Sequence, residues 1–200
     1  MARSALIPVL LLAAACGGPT YDVVIRGGTV YDGTGAPGAV ADVAIQGDSI
    51  VAVGDLTGAR GRSEVDASGM AVAPGFINML SWATESLIYD GKSQADIRQG
   101  VTLEVMGEGG SMGPLSDTMK VMARADQGDI KYDVAWTTLG EYLDFLEQKG
   151  IAPNVASFVG ATTVRVHEIG FADRPPTAEE LERMKALVAQ AMEEGALGLG

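Results

Sequence analysis

The chain has 200 residues, a formal charge of −12 and a hydrophobic content of 47%, with one cysteine and one histidine. This composition excludes a disordered chain, a disulfide-framed small protein and a Cys/His zinc module. The acidic balance and the lack of a Lys/Arg cluster argue against a nucleic-acid partner, because binding to phosphates requires basic residues.

Residues 1–20 have the features of a targeting segment. Arg3 precedes an apolar run from Ala5 to Ala15, which is typical of an export signal and too short to span a bilayer. Residues Leu12 to Cys16 resemble the lipobox of bacterial lipoproteins, although Ala13 stands where leucine is more common. The resemblance implies acylation of Cys16, a lipid anchor in a membrane and an exported protein of the bacterial cell envelope. An ordinary signal peptide with an incidental cysteine is the alternative.

Residues 21–70 have a period-two pattern that is interrupted by glycines, which predicts a small sheet of short antiparallel strands. Gly27-Gly28 is interpreted as a turn between two strands, and Gly47-Asp48 as the tight turn of a hairpin. One apolar face of such a sheet must be covered by another layer. The predicted strands are Tyr21–Arg26, Thr29–Asp32, Asp42–Gln46, Ser49–Gly54 and a strand near Glu64–Asp66.

Residues 71–200 alternate apolar strands with helices, which predicts parallel strand pairing. In the last predicted helix, Thr177 and Glu180 form a capping box and Gly195 is a natural terminator. The other predicted elements are strands within 71–80, 100–107 and 154–160, helices within 94–99 and 138–149, and a fourth strand from Ala196. Three or four β/α units cannot close an eight-stranded barrel, which takes about 250 residues. We therefore expect an amino-terminal portion of a longer protein; a complete 200-residue product is the physically less favourable alternative.

Two groups of segments carry a resemblance to a known family. The first group resembles the opening of the amidohydrolase superfamily, and the second resembles its N-acyl-D-amino-acid deacylase (D-aminoacylase) branch. The resemblance implies an α/β fold in which residues 21–70 form part of a small antiparallel β-sandwich and residues 71–200 form the first three to four units of a (β/α)8 metal-hydrolase barrel, incomplete in this chain. The segments are Asp22–Val30, Ile50–Gly54 and Val72–Asn78 for the first group, and Gln99–Thr102, Asn154–Gly160 and Glu194–Leu199 for the second.

The chain departs from the family at the positions of the metal ligands. The family's first barrel strand ends in Asp followed by His-x-His, where this chain has Asn78, Leu80 and Trp82. A zinc-binding cysteine of the family corresponds to Gly109, which supplies no ligand. Glu108 is the nearby side chain able to replace it, as an oxygen donor; a solvated or capping glutamate is the alternative. The resemblance implies a divalent metal, zinc in the family, that needs ligands from a longer chain.

Arg165 stands at an arginine position of the family, and the resemblance implies that it binds a substrate carboxylate. An ion pair with Glu168 or Asp173 is the alternative for this guanidinium. His167, the single histidine, cannot form a metal site alone, and we interpret it as a loop or structural residue.

Two further polar residues lie near the predicted strand ends. Glu104 falls within a predicted strand, where we expect an ion pair with Arg98 or another cation; a position facing the barrel interior is the alternative. Ser81 has no base nearby in the sequence, and we do not interpret it as a nucleophile. The catalytic residues stay unassigned.

The resemblance implies a hydrolase of carbon-nitrogen bonds other than peptide bonds, acting on a small-molecule amide through metal-activated water. The 200 residues alone are expected to be inactive. The alternative is a non-catalytic anchored binding protein on the same scaffold, with Leu80 and Trp82 lining an apolar pocket.

Overall fold

A computed structural model describes residues 18–200 of the chain. Residues 1–17, which hold most of the predicted targeting segment and Cys16, lie outside the described residues. The chain divides into two units, one ending at Pro74 and the other formed by Gly75–Gly200. Within residues 18–200, none of the helices combines the length and apolar character that a membrane span requires.

The first unit has five strands: β1 (Thr20–Val30), β2 (Ala39–Gln46), β3 (Ser49–Gly54), β4 (Arg60–Asp66) and β5 (Ala71–Val72). They form one sheet with the order β3-β2-β1-β4, and β5 pairs with β1 as well. The hairpin of β2 and β3 turns at Gly47-Asp48 as predicted, with Gln46 opposite Ser49 and Gly47 at a φ of +61°. Val24 and Ala44 lie opposite each other and are fully buried on one face of the sheet, whereas Val43, adjacent to Ala44 in the chain, is buried on the other face.

Two predictions for this sheet were wrong. Gly27-Gly28 is not a turn between strands, because β1 runs through it with a bulge between Ile25 and Gly28. The Gly27 N–H donates to the Asp42 carboxylate at 2.8 Å, so the irregular backbone keeps its hydrogen bond. The sheet is also not wholly antiparallel: β2 occupies one edge of β1, and both β4 and β5 pair with the other edge in parallel.

The second unit contains the predicted parallel strands, which pair in the order β6-β7-β8. They are β6 (Phe76–Asn78), β7 (Val101–Met106) and β8 (Asn154–Ser157). The segment expected to form a fourth strand joins this edge through a single parallel bridge between Val159 and Leu199. Both sheets are open within residues 18–200, and the fold is mixed α/β. The helices of this unit are α1 (Thr84–Tyr89), α2 (Gln94–Ile97), α3 (Asp117–Ala125), α4 (Leu139–Lys149), α5 (Ala161–Ile169) and α6 (Ala178–Glu193).

Capping boxes begin the two longest helices of this unit. Thr138 and Glu141 cap α4, and Thr177 and Glu180 cap α6 as predicted. The apolar faces of these helices pack on a core around Trp136, whose ring lies 5.1 Å from that of Tyr142. This core holds one side of the β6-β7-β8 sheet and fixes the strand ends at which the candidate site is found.

Candidate functional site

A cavity of about 200 Å³ lies where β6 and β7 end. Ligand sites of parallel α/β folds occur at the carboxyl ends of the strands. The cavity brings together Leu80, Trp82 and Glu108, the three residues that the sequence singled out at these strand ends. We call it the strand-end cavity; its lining consists of Leu80, Ser81, Trp82, Thr84, Gly107, Glu108, Gly110, Ser111 and Met112.

The loop after β6 is held in place by backbone and side-chain hydrogen bonds. The Asn78 side chain accepts from the Leu80 N–H at 3.2 Å and donates to Asp96 at the same distance. The Ser81 N–H donates to the Val105 carbonyl of β7 at 2.8 Å. These bonds direct Leu80 and Trp82 outward, where their side chains are 50% and 78% exposed.

Glu104 lies in the middle of β7 and is fully buried. The hydroxyls of Ser81 and Ser93 donate to its two carboxylate oxygens, at 2.6 and 2.5 Å. The predicted ion pair with Arg98 was wrong, because the Arg98 guanidinium donates to Gln94 on the surface. Two hydroxyl donors replace the cation that a buried carboxylate was expected to need.

Ser81 therefore has a carboxylate neighbour that its local sequence did not reveal. Its hydroxyl is directed at Glu104, whereas the imidazole of His167 lies in α5 and contacts Glu168 at 3.1 Å. A serine nucleophile is activated by an adjacent base that a third group orients. Residues 18–200 do not assemble such a relay at Ser81.

The glycine-rich loop after β7 forms the opposite wall of the cavity. Gly107 has a φ of +90°, and a Cβ at this position would meet the Phe158 carbonyl at 2.2 Å, so only glycine fits. Ser111 connects the loop to α5: its N–H donates to Thr163 at 2.7 Å and its hydroxyl accepts from the Gly160 N–H at 2.9 Å. Glu108 is exposed on this loop; its backbone carbonyl accepts from the Gly110 N–H at 2.7 Å, but its carboxylate makes no hydrogen bond or ion pair to any residue in 18–200.

A second cavity of about 220 Å³ adjoins the first, and the two share Ser111 and Met112. Tyr132 and Trp136 stack in parallel in its wall, with ring centroids 6.1 Å apart. The Tyr132 hydroxyl donates to Glu85 at 2.9 Å; burial and this carboxylate raise the pKa of Tyr132 to about 12. We call it the aromatic cavity; its lining is Glu85, Ser111, Met112, Leu115, Ala123, Asp126, Tyr132, Val134 and Trp136. No motif in the sequence links these residues, which lie up to 51 positions apart.

Arg165 lies on α5 and is not part of the lining of either cavity. Its guanidinium donates to the carbonyls of Ala172 and Arg174, both at 2.8 Å, and so ties down the turn after the helix. The alternative of an ion pair with Glu168 or Asp173 was wrong: Glu168 pairs with Arg183 instead, at 2.6 Å. A substrate-binding role for Arg165 stays a prediction.

Comparisons with known proteins connect this geometry to a family. The chain is 36% identical to a D-aminoacylase of Alcaligenes xylosoxydans xylosoxydans, over 90% of this chain and 37% of that protein. An N-acyl-D-aspartate deacylase of the same organism is 34% identical, over 89% of this chain and 36% of the relative. A solved D-aminoacylase with a binuclear metal centre superposes with a TM-score of 0.78 at 35% identity, over 90% of this chain and 38% of the solved chain.

The resemblance to the D-aminoacylases, a subset of the amidohydrolases, is confirmed. An N-acyl-D-glutamate deacylase from Bordetella bronchiseptica, solved with zinc and a phosphonate inhibitor, has a TM-score of 0.77 at 30% identity, over 90% of this chain and 38% of the solved one. The chain spans a little over a third of the length of the curated relatives just described. No protein-family model matches it.

The solved D-aminoacylase relatives contain metals, but the residues described here do not fit one. Residues 18–200 hold no group of three His, Cys, Asp or Glu side chains that could bind a metal ion. In the strand-end cavity, Leu80 and Trp82 carry no donor atom for a metal, and the hydroxyls of Ser81 and Ser111 already donate to protein oxygens. Glu108 supplies one carboxylate, whereas a zinc site needs three or four ligands. Its role as a metal ligand stays a prediction.

Proposed function

We propose that this protein is an amide hydrolase of the D-aminoacylase type, which cleaves the carbon-nitrogen bond of an N-acylated amino acid. The observation that carries the proposal is the 36% identity to a D-aminoacylase over 90% of the chain. The strand-end cavity supports it, because it lies where such folds place their chemistry. The activity, the small-molecule amide substrate and any divalent metal are all part of the proposal.

The proposed fold of the whole protein is a (β/α)8 barrel beside a small β-sandwich. Residues 75–200 would form its first β/α units, because β6, β7 and β8 are parallel and adjacent in chain order. Residues 21–70 would supply part of the sandwich. Glu108 is at most one ligand of a divalent metal, zinc in the proposal, and the others would come from residues outside 18–200. The 200 residues alone should therefore not hydrolyse amides.

The test is to determine the reading frame beyond the codon for Gly200 and to express its whole product. Release of free amino acid is measured from Nα-acetyl derivatives of an apolar, an acidic and a basic D-amino acid (leucine, glutamate and lysine), with added zinc or with a chelator. We expect hydrolysis by the whole product, loss of activity with the chelator, and none from the 200 residues. A whole product that folds but leaves every N-acetyl substrate intact would refute the hydrolase proposal.

A second candidate is an anchored binding protein without catalysis. Leu80 and Trp82 favour it, because they place exposed apolar side chains where the family has its His-x-His ligands. The hydrolysis assay together with equilibrium dialysis distinguishes the two candidates. A binding protein retains the N-acetyl amino acid in dialysis and releases no free amino acid from it.

For either candidate we also propose export to the bacterial cell envelope and a lipid anchor on Cys16. The support is the sequence of residues 1–20 alone. Metabolic labelling with radioactive palmitate tests it: the wild-type chain should be labelled and sediment with membranes, and Cys16→Ser should lose the label. An unlabelled wild-type chain would refute the anchor.

A further inference from the structure

The strand-end and aromatic cavities share one chemical character. Together their lining holds the carboxylates of Glu85, Glu108 and Asp126, and no Lys, Arg or His among the described residues. The chain as a whole carries a formal charge of −12. An anionic ligand would enter this space against the local charge, whereas a cation would be attracted to it.

Aromatic surface accompanies these carboxylates in both cavities. Trp82 is 78% exposed in the wall of the strand-end cavity, and the half-buried Tyr132 lies in the wall of the aromatic cavity beside Met112. Trp136 is 2% exposed and packs behind Tyr132, so it presents no open ring face. An ammonium group is attracted to the face of such rings, and its methylenes pack on them and on a thioether.

The polar groups of the lining favour a monovalent organic cation over a metal. The Tyr132 hydroxyl already donates to Glu85, whereas Glu108 has no partner within residues 18–200 and is free to pair with an ammonium. A divalent metal would need further ligands, which Trp82, Leu80 and Met112 do not provide. The cavities, of about 200 and 220 Å³, limit the ligand to a side chain with its amide group.

We propose that these cavities bind an ammonium group carried on an apolar chain, so that the preferred N-acyl amino acid has a cationic side chain. A cationic side chain differs in charge from the aspartate and glutamate for which two relatives, an N-acyl-D-aspartate deacylase and an N-acyl-D-glutamate deacylase, are named. The choice of an amino-acid ligand rests on the proposed function; the preference for a cation rests on the lining of the cavities alone. In this proposal the Glu108 carboxylate pairs with the ammonium and not with a metal, so any metal would be held by residues outside 18–200.

The test measures binding by calorimetry on the full 200-residue chain, with three probes of equal backbone: the N-acetyl methylamides of D-lysine, D-norleucine and D-glutamate. We expect the lysine probe to bind about threefold or more tighter than the norleucine probe, and the glutamate probe to bind weakest. The preference for lysine should decrease as salt rises, because exposed charges are screened.

Two exposed substitutions locate the site, each with a matched control elsewhere in the same unit. Glu108→Gln and Trp82→Leu should each lower the affinity for the lysine probe roughly two- to fivefold. Glu108→Gln should leave the affinity for the norleucine probe unchanged, because that probe carries no charge on its side chain. The controls are at exposed positions outside both cavities: Glu179→Gln makes the same change as Glu108→Gln, and Phe171→Leu removes another exposed aromatic ring. Both should leave binding of the lysine probe unchanged.

Equal affinity for the lysine and norleucine probes, tighter binding of the glutamate probe, or equal effects of Glu108→Gln and Glu179→Gln would overturn the proposal. The binding readout separates it from the hydrolase proposal. A protein that binds the lysine probe but hydrolyses no amide would support the cation site and refute the hydrolase proposal. A protein that hydrolyses N-acyl amino acids without preferring the cationic probe would support the hydrolase proposal and refute the cation site.

Discussion

The carboxylate of Glu104 is fully buried and has no cation beside it within residues 18–200. Glu104 is satisfied by hydroxyls 23 and 11 positions earlier in the chain, those of Ser81 and Ser93. Ser93 has a φ of +41°, a conformation that serine rarely adopts, and its bond to Glu104 helps to hold it there. Sequence reasoning expected an ion pair because a strand pattern gives no information on which loop returns to cover the strand.

Removing this carboxylate should destabilise the second unit. Glu104→Ala leaves a cavity and two serine hydroxyls without an acceptor, and we expect a loss of about 2–4 kcal/mol in the free energy of unfolding. Urea denaturation measures it. The control is Glu104→Gln, which keeps the shape and one acceptor and should cost no more than about 1.5 kcal/mol. An alanine variant as stable as the glutamine variant would mean that the hydroxyl bonds contribute nothing.

At the scale of elements, the predictions that succeeded rest on local signals. The capping box of Thr177 and Glu180 begins α6, and Gly47-Asp48 forms the turn of the β2-β3 hairpin. Such signals act within a few residues, so the sequence is sufficient to reveal them. Gly27-Gly28 was misinterpreted because the carboxylate that satisfies its bulge, that of Asp42, lies on the neighbouring strand.

Helix α5 shows the opposite case. Its sequence is rich in β-branched residues, which weaken helices, and the sequence analysis did not predict it. The helix forms because tertiary contacts outweigh this propensity: Thr163, Val164 and Ile169 are buried, and Thr163 binds the loop of the strand-end cavity through Ser111. The position of α5, and of the cavity loop that it holds through Ser111, could therefore not be predicted from the sequence.

The start of α6 makes a prediction about pH. Arg174 donates two hydrogen bonds of 2.7 Å to Glu180, and the Thr177 N–H donates a third; these bonds lower the pKa of Glu180 to about 2 from an ordinary 4.5. A carboxyl whose pKa is lower in the folded state stabilises the fold above its ordinary pKa, and this contribution is lost as pH falls from about 4.5 toward 2.

Glu180→Gln should therefore lose less stability than the wild type between pH 5 and pH 3. The measurement is the urea midpoint of each protein at the two pH values. Glu179→Gln serves as the control, because Glu179 is exposed in the same helical turn and its side chain makes no hydrogen bond within residues 18–200. If both variants follow the wild type, Glu180 is not an acid-sensitive element of this helix.

At the scale of the whole molecule, similarity to a family of metal-containing proteins coexists with a cavity that lacks their ligands. The fold class and the location of the site follow from the sequence, because parallel strands bring their carboxyl ends together wherever the chain folds this way. The chemistry of the site does not follow from the fold, because it depends on single side chains at those ends. Leu80 and Trp82 are such side chains, and replacing them tests whether the scaffold still presents the metal geometry.

After dialysis, the wild-type chain should retain well below one zinc per molecule. Leu80→His combined with Trp82→His should raise the zinc content to about one per molecule, because two imidazoles and the carboxylate of Glu108 form the ligand set of many catalytic zinc sites. Both positions are at least half exposed, so the substitutions should not disturb the core. Metal content is measured by mass spectrometry. Adding Glu108→Gln to the pair should remove the zinc again. A double variant that stays free of zinc would mean that these three positions do not converge on one point, so that the shape of the cavity, as well as its side chains, is unsuited to zinc.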